Sequence, residues 1–417
     1  MKSKIASNTL FLYILTFSNY FLGLLLFPYL SRVLSVGKFG LVGFSMSFVL
    51  VFQMIVEYGF SISGTAHIAR CQGNTEKVTE IVSVVTYSKL FLSLISVSAF
   101  FVCSVFIDMI NKNFLFVSCF IIDSFIKALL PDFYFRGIEE MKTITIRALI
   151  AKLLCIVLVL IFVSGDKQVI LVPISYIIGD SVALIITIVM MFKKGVRFSK
   201  VSVNRLIEIL REGFPFFLSR LSVSINNSVG TFFLGLKFSP SSIETGILSG
   251  ITKITTAGDM LLTPINDSIY PYMIKNKDYK MLKKVIVFGS IIWFFGCGLI
   301  FIEADFVCGL VLGPNYLGAG MYLRFLVINT FFGFFSLFLG YPALSPIGKA
   351  NFANAALPFA TIINVICCCI LWFMNSITLT NIVVVMSFIN LIMAIFRGLA
   401  VYRYRRLIVN NENEKRK

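Results

Sequence analysis

Apolar runs and short basic breaks alternate along the chain from end to end. A helix crossing a bilayer needs about 20 mainly apolar residues. By that rule the first half holds spans at 9–31, 40–64, 81–107, 114–135, 145–164 and 169–192. The second half holds spans at 213–236, 246–272, 285–303, 321–345, 353–373 and 381–402. The pattern predicts an all-α membrane protein of about 12 transmembrane helices. Lys2 and Lys4 precede the first run as in a signal peptide, but no small-residue cleavage site follows, so that run reads as a span.

Polar residues inside the spans fall at helical spacing. Span 7 carries Arg220, Ser224, Asn227 and Thr231 at i, i+4, i+7 and i+11, with Asn226 beside them. Span 8 carries Thr252, Thr256, Asp259, Thr263 and Asn266 in the same rhythm, with Lys253 adjacent. Thr9, Tyr13, Thr16 and Tyr20 line span 1, while Gln53 and Glu57 lie one turn apart in span 2. Span 3 shows Thr86, Lys89, Ser93 and Ser96, and span 4 sets Asp123 four residues before Lys127. A charge at a helix centre costs about 2.5–3.5 kcal/mol on insertion scales, so such residues are expected to face a bundle interior or a wet cavity. These stripes read as a hydrophilic lumen between two halves; Ser, Thr and Asn serve equally as glue between packed helices. Asp123 and Lys127 fit either a helical ion pair or the lumen. Lys152 and Arg324, near span ends, read as snorkelling, and Glu303 and Asp305 as solvated outer-loop acids.

Composition narrows the class. The 417 residues are 58% hydrophobic and 14% charged, outside the range of soluble domains. Mean hydropathy is +0.91. The formal charge of +17 would suit nucleic acid if it were clustered. It is instead dispersed over the breaks that face one side. With the N-terminus inside, the inner segments hold Lys2 and Lys4, Arg70 and Lys77, then Arg136, Lys142 and Arg147. The long central loop adds Lys193, Lys194, Arg197, Lys200, Arg205 and Arg211, and the later inner loops and C-terminus continue the series. The outer loops hold only Arg32, Lys38, Lys112, Lys167 and Lys237. This bias predicts both termini in the cytoplasm, and a miscounted helix would have inverted it. The charge then meets anionic lipid headgroups, not nucleic acid.

The loop from Lys193 to Arg211 divides the chain into an N-terminal six-helix bundle, 1–200, and a C-terminal one, 205–417. Six is even, so both halves enter the membrane in the same direction. Leu34-Ser35 followed by Gly40 to Ser45 is echoed by Phe238-Ser239 followed by Gly246 to Ser249, as in parallel repeats that flank a central cavity.

Little points to catalysis. The nine Cys form no C-x-x-C pair, His67 is the only histidine, and no metal or cofactor motif appears. The longest outer connection, before span 10, is too short for a catalytic subdomain, which argues against a polymerase or glycosyltransferase. Arg220, Lys253 and Lys89, with Asn227 and Thr256, would suit an anionic headgroup such as a phosphate or diphosphate. Glu57 and Asp259, with Asp123 and Lys127, are candidates for ion coupling or gating.

Leu130-Pro131-Asp132-Phe133-Tyr134-Phe135-Arg136-Gly137-Ile138-Glu139-Glu140-Met141 resembles the Pro, aromatic-pair and Gly-x-Glu-x-Met run that closes the fourth span of Wzx-type O-antigen and polysaccharide flippases. Glu57 to Thr65, Pro28 to Leu34 with Phe39-Gly40, and Pro264 through Pro271 are similar in order over nearly the whole chain. Arg136 departs from the pattern, which more usually has Gln there. These flippases belong to the multidrug/oligosaccharidyl-lipid/polysaccharide exporter superfamily. The resemblance implies two six-helix bundles around a central cavity, working by alternating access in the inner membrane. It implies a cargo of oligosaccharide linked through diphosphate to undecaprenol, a coupling proton or sodium ion, and a polysaccharide polymerase and chain-length regulator as partners. A cation-coupled drug exporter of the same superfamily is the competing expectation; organic cations would favour an acidic lumen.

Overall fold

The computed structural model describes residues 25–71 and 73–408, apart from the side chains at 109, 215, 219 and 271, and among these the regular elements are all helices. In the first half they include α1 (Val36–Glu57), α2 (Phe60–Arg70), α3 (Thr75–Phe106), α4 (Phe114–Leu129), α5 (Asp132–Gly137), α6 (Met141–Phe162) and α7 (Leu171–Lys193). Then come α8 (Val203–Phe238), α9 (Ile243–Asn276), α10 (Tyr279–Ile302) and α11 (Ala304–Leu312). The last are α12 (Gly320–Leu339), α13 (Tyr341–Leu344), α14 (Ala350–Phe373), α15 (Leu379–Ser387) and α16 (Ile389–Arg403). Nine helical segments among the described residues are long and apolar enough to cross a membrane. α8 and α9, at 36 and 34 residues, are longer than a bilayer requires and carry the polar stripes. The first expected span and its stripe, Thr9, Tyr13, Thr16 and Tyr20, lie outside the described residues.

Short polar residues start the helices where the chain re-enters them. The side chains of Ser35, Asn74, Ser242, Asp278 and Thr378 each accept the backbone N–H three residues on, filling one of the donors a helix start leaves open. Several spans expected as single helices are broken. α1 ends at Tyr58 and Gly59, both in left-handed backbone, before α2 resumes. A Cβ at residue 59 would stand 2.6 Å from Cβ of Phe216, so glycine is required there by both φ and space. Pro131 separates α4 from α5, because proline cannot supply the N–H that would continue α4.

The chain forms two compact units, Met1–Ser224 and Ile225–Lys417. Phe60, Ile68, Val82, Val85, Phe135 and Ile144 are core residues of the first. Leu262, Met273, Leu282, Phe334 and Phe338 are core residues of the second. Large apolar side chains remain exposed on α10, among them Phe288, Ile292, Phe295 and Leu299. Such a face suits acyl chains, and would be a liability in water.

The stretch after span 9, expected to be a solvated outer loop, differs from expectation. It folds into α11, where the Asp305 carboxylate takes the N–H of Gly320 at 3.1 Å and the guanidinium of Arg324 at 3.0 Å. Asp305 therefore serves the start of α12, where a carboxylate is favoured by the open amides, and Arg324 is tied to it rather than only snorkelling.

Candidate functional site

A cavity of about 420 Å³ lies within the N-terminal unit. Each of α1 to α8 places a polar residue on its wall, and the breaks described above decide which. Glu57 is the last residue of α1, and Ser61 follows in the first turn of α2. Tyr58 between them stacks on Phe217 at 4.6 Å between centroids, so α8 packs on the break and carries Arg220 to the same wall. Arg136 comes from α5, held close to α2 because Gly137 leaves room for Ile68, which a Cβ would approach to 2.5 Å.

Six cations line the cavity: Lys89, Lys127, Arg136, Arg147, Lys152 and Arg220. Glu57, Asp132 and Asp180 are the acids of the lining. The cations divide by what already holds them. Lys89, 3% exposed, donates to the carbonyls of Ala128 at 2.6 Å and Leu130 at 3.2 Å, and lies 5.2 Å from the Phe133 ring. These carbonyls close α4 at the proline break, where no backbone N–H among the described residues reaches them, so Lys89 acts as their cap. Lys127 is clamped between Asp123 at 2.6 Å and Asp180 at 3.3 Å, above the Tyr176 ring. Arg147, 5% exposed, pairs with Asp132. Arg136 and Arg220 have no carboxylate partner among the described residues, and Nε of Arg136 is buried without an acceptor. Each guanidinium can donate paired N–H bonds in its plane to an oxyanion.

Of the residues expected from sequence, Glu57, Lys89, Lys127 and Arg220 share this wall, with Asp123 one layer behind as the partner of Lys127. Asn227, Lys253, Thr256 and Asp259 belong to the C-terminal unit. There Thr256 returns its hydroxyl to the carbonyl of Thr252 at 2.6 Å, leaving its oxygen free to accept. Asn226 accepts from Asn364 at 3.0 Å, the inter-helix glue that was the alternative reading of the stripe. Asp259 lies beside Gly333, and its Oδ1 is buried with no hydrogen-bond donor. Lys253 is partly buried and Asn227 exposed.

Sequence reasoning missed Arg136, Arg147, Asp132 and Asp180, and it took Lys152 for a snorkelling residue. Arg136 and Arg147 sit at span ends, where Lys and Arg usually report orientation only. The available signal was Arg136 itself, the one departure from the flippase pattern.

The fold and site define a multi-pass membrane protein of the transporter type. Along the sequence, residues 5–277 match the family described as "Polysaccharide biosynthesis protein", and the chain belongs to that family. It is 29% identical over 327 residues to a protein of Escherichia coli (strain K12) named for O-antigen transport, covering 76% of this chain and 77% of that one. A Shigella dysenteriae protein with the same assignment is 28% identical over 327 residues, covering 76% and 80%. Among solved structures, the inward-facing conformation of a multidrug resistance MATE family transporter superposes with a TM-score of 0.73 at 17% identity, covering 95% of each chain. At that identity the likeness concerns the fold: two helical lobes, as the sequence predicts.

Proposed function

We propose that this protein flips an oligosaccharide repeat unit, linked through diphosphate to undecaprenol, from the cytoplasmic to the periplasmic leaflet of the inner membrane. The observation that carries the reading is the pair Arg136 and Arg220, facing a cation-rich cavity without carboxylates of their own. The diphosphate binds these guanidiniums, the lipid tail stays in the bilayer, and the field of Lys89 adds to the attraction, whereas Lys127 and Arg147 are already balanced by carboxylates. Asn227, Lys253 and Thr256 offer polar contacts from the C-terminal half. The halves 1–200 and 205–417 alternate access to the two sides. Glu57, Asp259 and the Asp123–Lys127–Asp180 cluster exchange a proton or sodium ion to reset the cycle. Lys and Arg in the inner loops support cytoplasmic termini. A polysaccharide polymerase and chain-length regulator would receive the product. The family and the names of the relatives support this cargo over organic cations, which a net-positive wall would repel.

The test is complementation of a host lacking the gene. Arg136→Ala and Arg220→Ala, each made at normal membrane abundance, are expected to abolish surface polysaccharide. Normal surface polysaccharide in both would refute the assignment. Raised drug sensitivity in the deletion host, with the surface glycan unchanged, would favour the exporter reading instead.

A further inference from the structure

The polar stripe of α9 does not stop at Asn266. Tyr270 lies four residues further on, the next position of the series Thr252, Thr256, Asp259, Thr263, Asn266. Its ring meets that of Tyr341 edge to face, 5.9 Å between centroids with 75° between planes. Both rings are partly exposed at the surface of the unit, 37% and 41%. The Tyr341 hydroxyl donates to Oδ1 of Asn354 on α14, whose amide NH₂ has no partner among the described residues.

This group is built, not incidental. Tyr341 opens α13, the short turn after α12 breaks at Gly340. Three buried or half-buried bonds fix that break. Tyr279 donates to the carbonyl of Ala343 at 2.9 Å. Arg397 donates to the carbonyl of Ser336 at 2.7 Å and to that of Ala353 at 3.0 Å, immediately before Asn354. An interfacial aromatic belt needs rings at the right depth, but it needs no amide locked beside them.

We infer that Tyr270, Tyr341 and Asn354 form a saccharide subsite of the C-terminal unit. An aromatic face beside a fixed amide is what a pyranose ring requires: its C–H face stacks on the apolar ring and its hydroxyls bond the side-chain amide. None of the three residues is charged, so the subsite adds nothing for a diphosphate and instead suits neutral sugar hydroxyls. Asn266, whose Oδ1 is buried without a donor, stands one turn earlier on the same stripe. Phosphate affinity and sugar preference thus reside in separate units of the chain. The inference rests on the flippase reading and specifies where it distinguishes its cargo.

The experiment compares two probes on the full chain in nanodiscs, by native mass spectrometry. One probe is undecaprenyl diphosphate. The other is the lipid-linked repeat unit extracted from the source strain after the gene is deleted. Wild type is expected to favour the glycosylated lipid. Tyr270→Ala with Tyr341→Ala should lower binding of the glycosylated lipid about tenfold and leave undecaprenyl diphosphate unchanged. Tyr270→Phe should keep the preference, because the ring remains, which also controls for folding. Equal loss for both probes, or an undiminished preference in the double variant, would overturn the subsite while leaving the flippase reading intact. Wild type that binds neither probe would overturn that reading and the subsite with it.

Discussion

The carboxylate of Asp180 lies 3.3 Å from the ammonium of Lys127, joining α7 to α4 at the cavity wall. Lys127 also holds Asp123 at 2.6 Å, so one cation serves two acids from different helices. An excess of negative charge in that cluster invites a proton or metal cation. Asp180→Asn removes the excess while keeping shape. Transport, read as surface polysaccharide in a complemented host, should fall about tenfold or more if this cluster couples the ion. Unchanged display would show the cluster to be structural.

Arg147 and Asp132 form a pair in which the cation is almost wholly buried. Asp132→Ala strands that charge, at a cost of about 3–5 kcal/mol. Combining it with Arg147→Met should restore much of the loss, since the burden is the unpaired ion. Thermal unfolding in detergent measures both, and an additive double variant would contradict the pairing.

Gly59 has φ +76°, and Cβ of Phe216 occupies the space beside it. Gly59→Ala should destabilise the protein by about 1–3 kcal/mol. Adding Phe216→Ala relieves the clash but not the backbone strain, so recovery should be partial. Full recovery, seen as an unchanged melting temperature, would mean φ is unconstrained there.

Arg136 offers a split between charge and geometry. Arg136→Lys keeps the charge but loses the planar fork, and Arg136→Gln loses both. Transport should decline in the order Arg, Lys, Gln. A lysine variant as active as wild type would reduce the role of Arg136 to a point charge.

Cys308, in α11 outside the membrane spans, is fully buried, and that burial with Asp305 nearby pushes its thiol up to about 12. At pH 8 the thiolate fraction is then on the order of one in ten thousand. Maleimide should leave Cys308 unlabelled until the protein is unfolded, as mass spectrometry of the digest would report. Rapid labelling at pH 8 would show that α11 opens in the native state.

Much of this architecture was legible because bilayer length is a one-dimensional signal. The series on α9 from Thr252 to Asn266 was readable for the same reason: helical periodicity survives in sequence. The meeting of Arg136, Arg147 and Asp180 was not, since it depends on how three separate helices approach one space. Helix breaks hid more. Nothing in hydropathy distinguishes a kinked span from a straight one, yet the breaks at Gly59 and Pro131 decide where Glu57 and Lys89 end up.

The capping of α4 by Lys89 has an electrical consequence for the chamber. The carbonyls of Ala128 and Leu130 at that helix end are engaged by a fixed ammonium, so an entering anion does not meet those two oxygens bare. The potential is left to replaceable side chains on a frame that is already neutralised. Tolerance for a new cargo can therefore change by exchanging one or two residues, without remaking the scaffold that holds them.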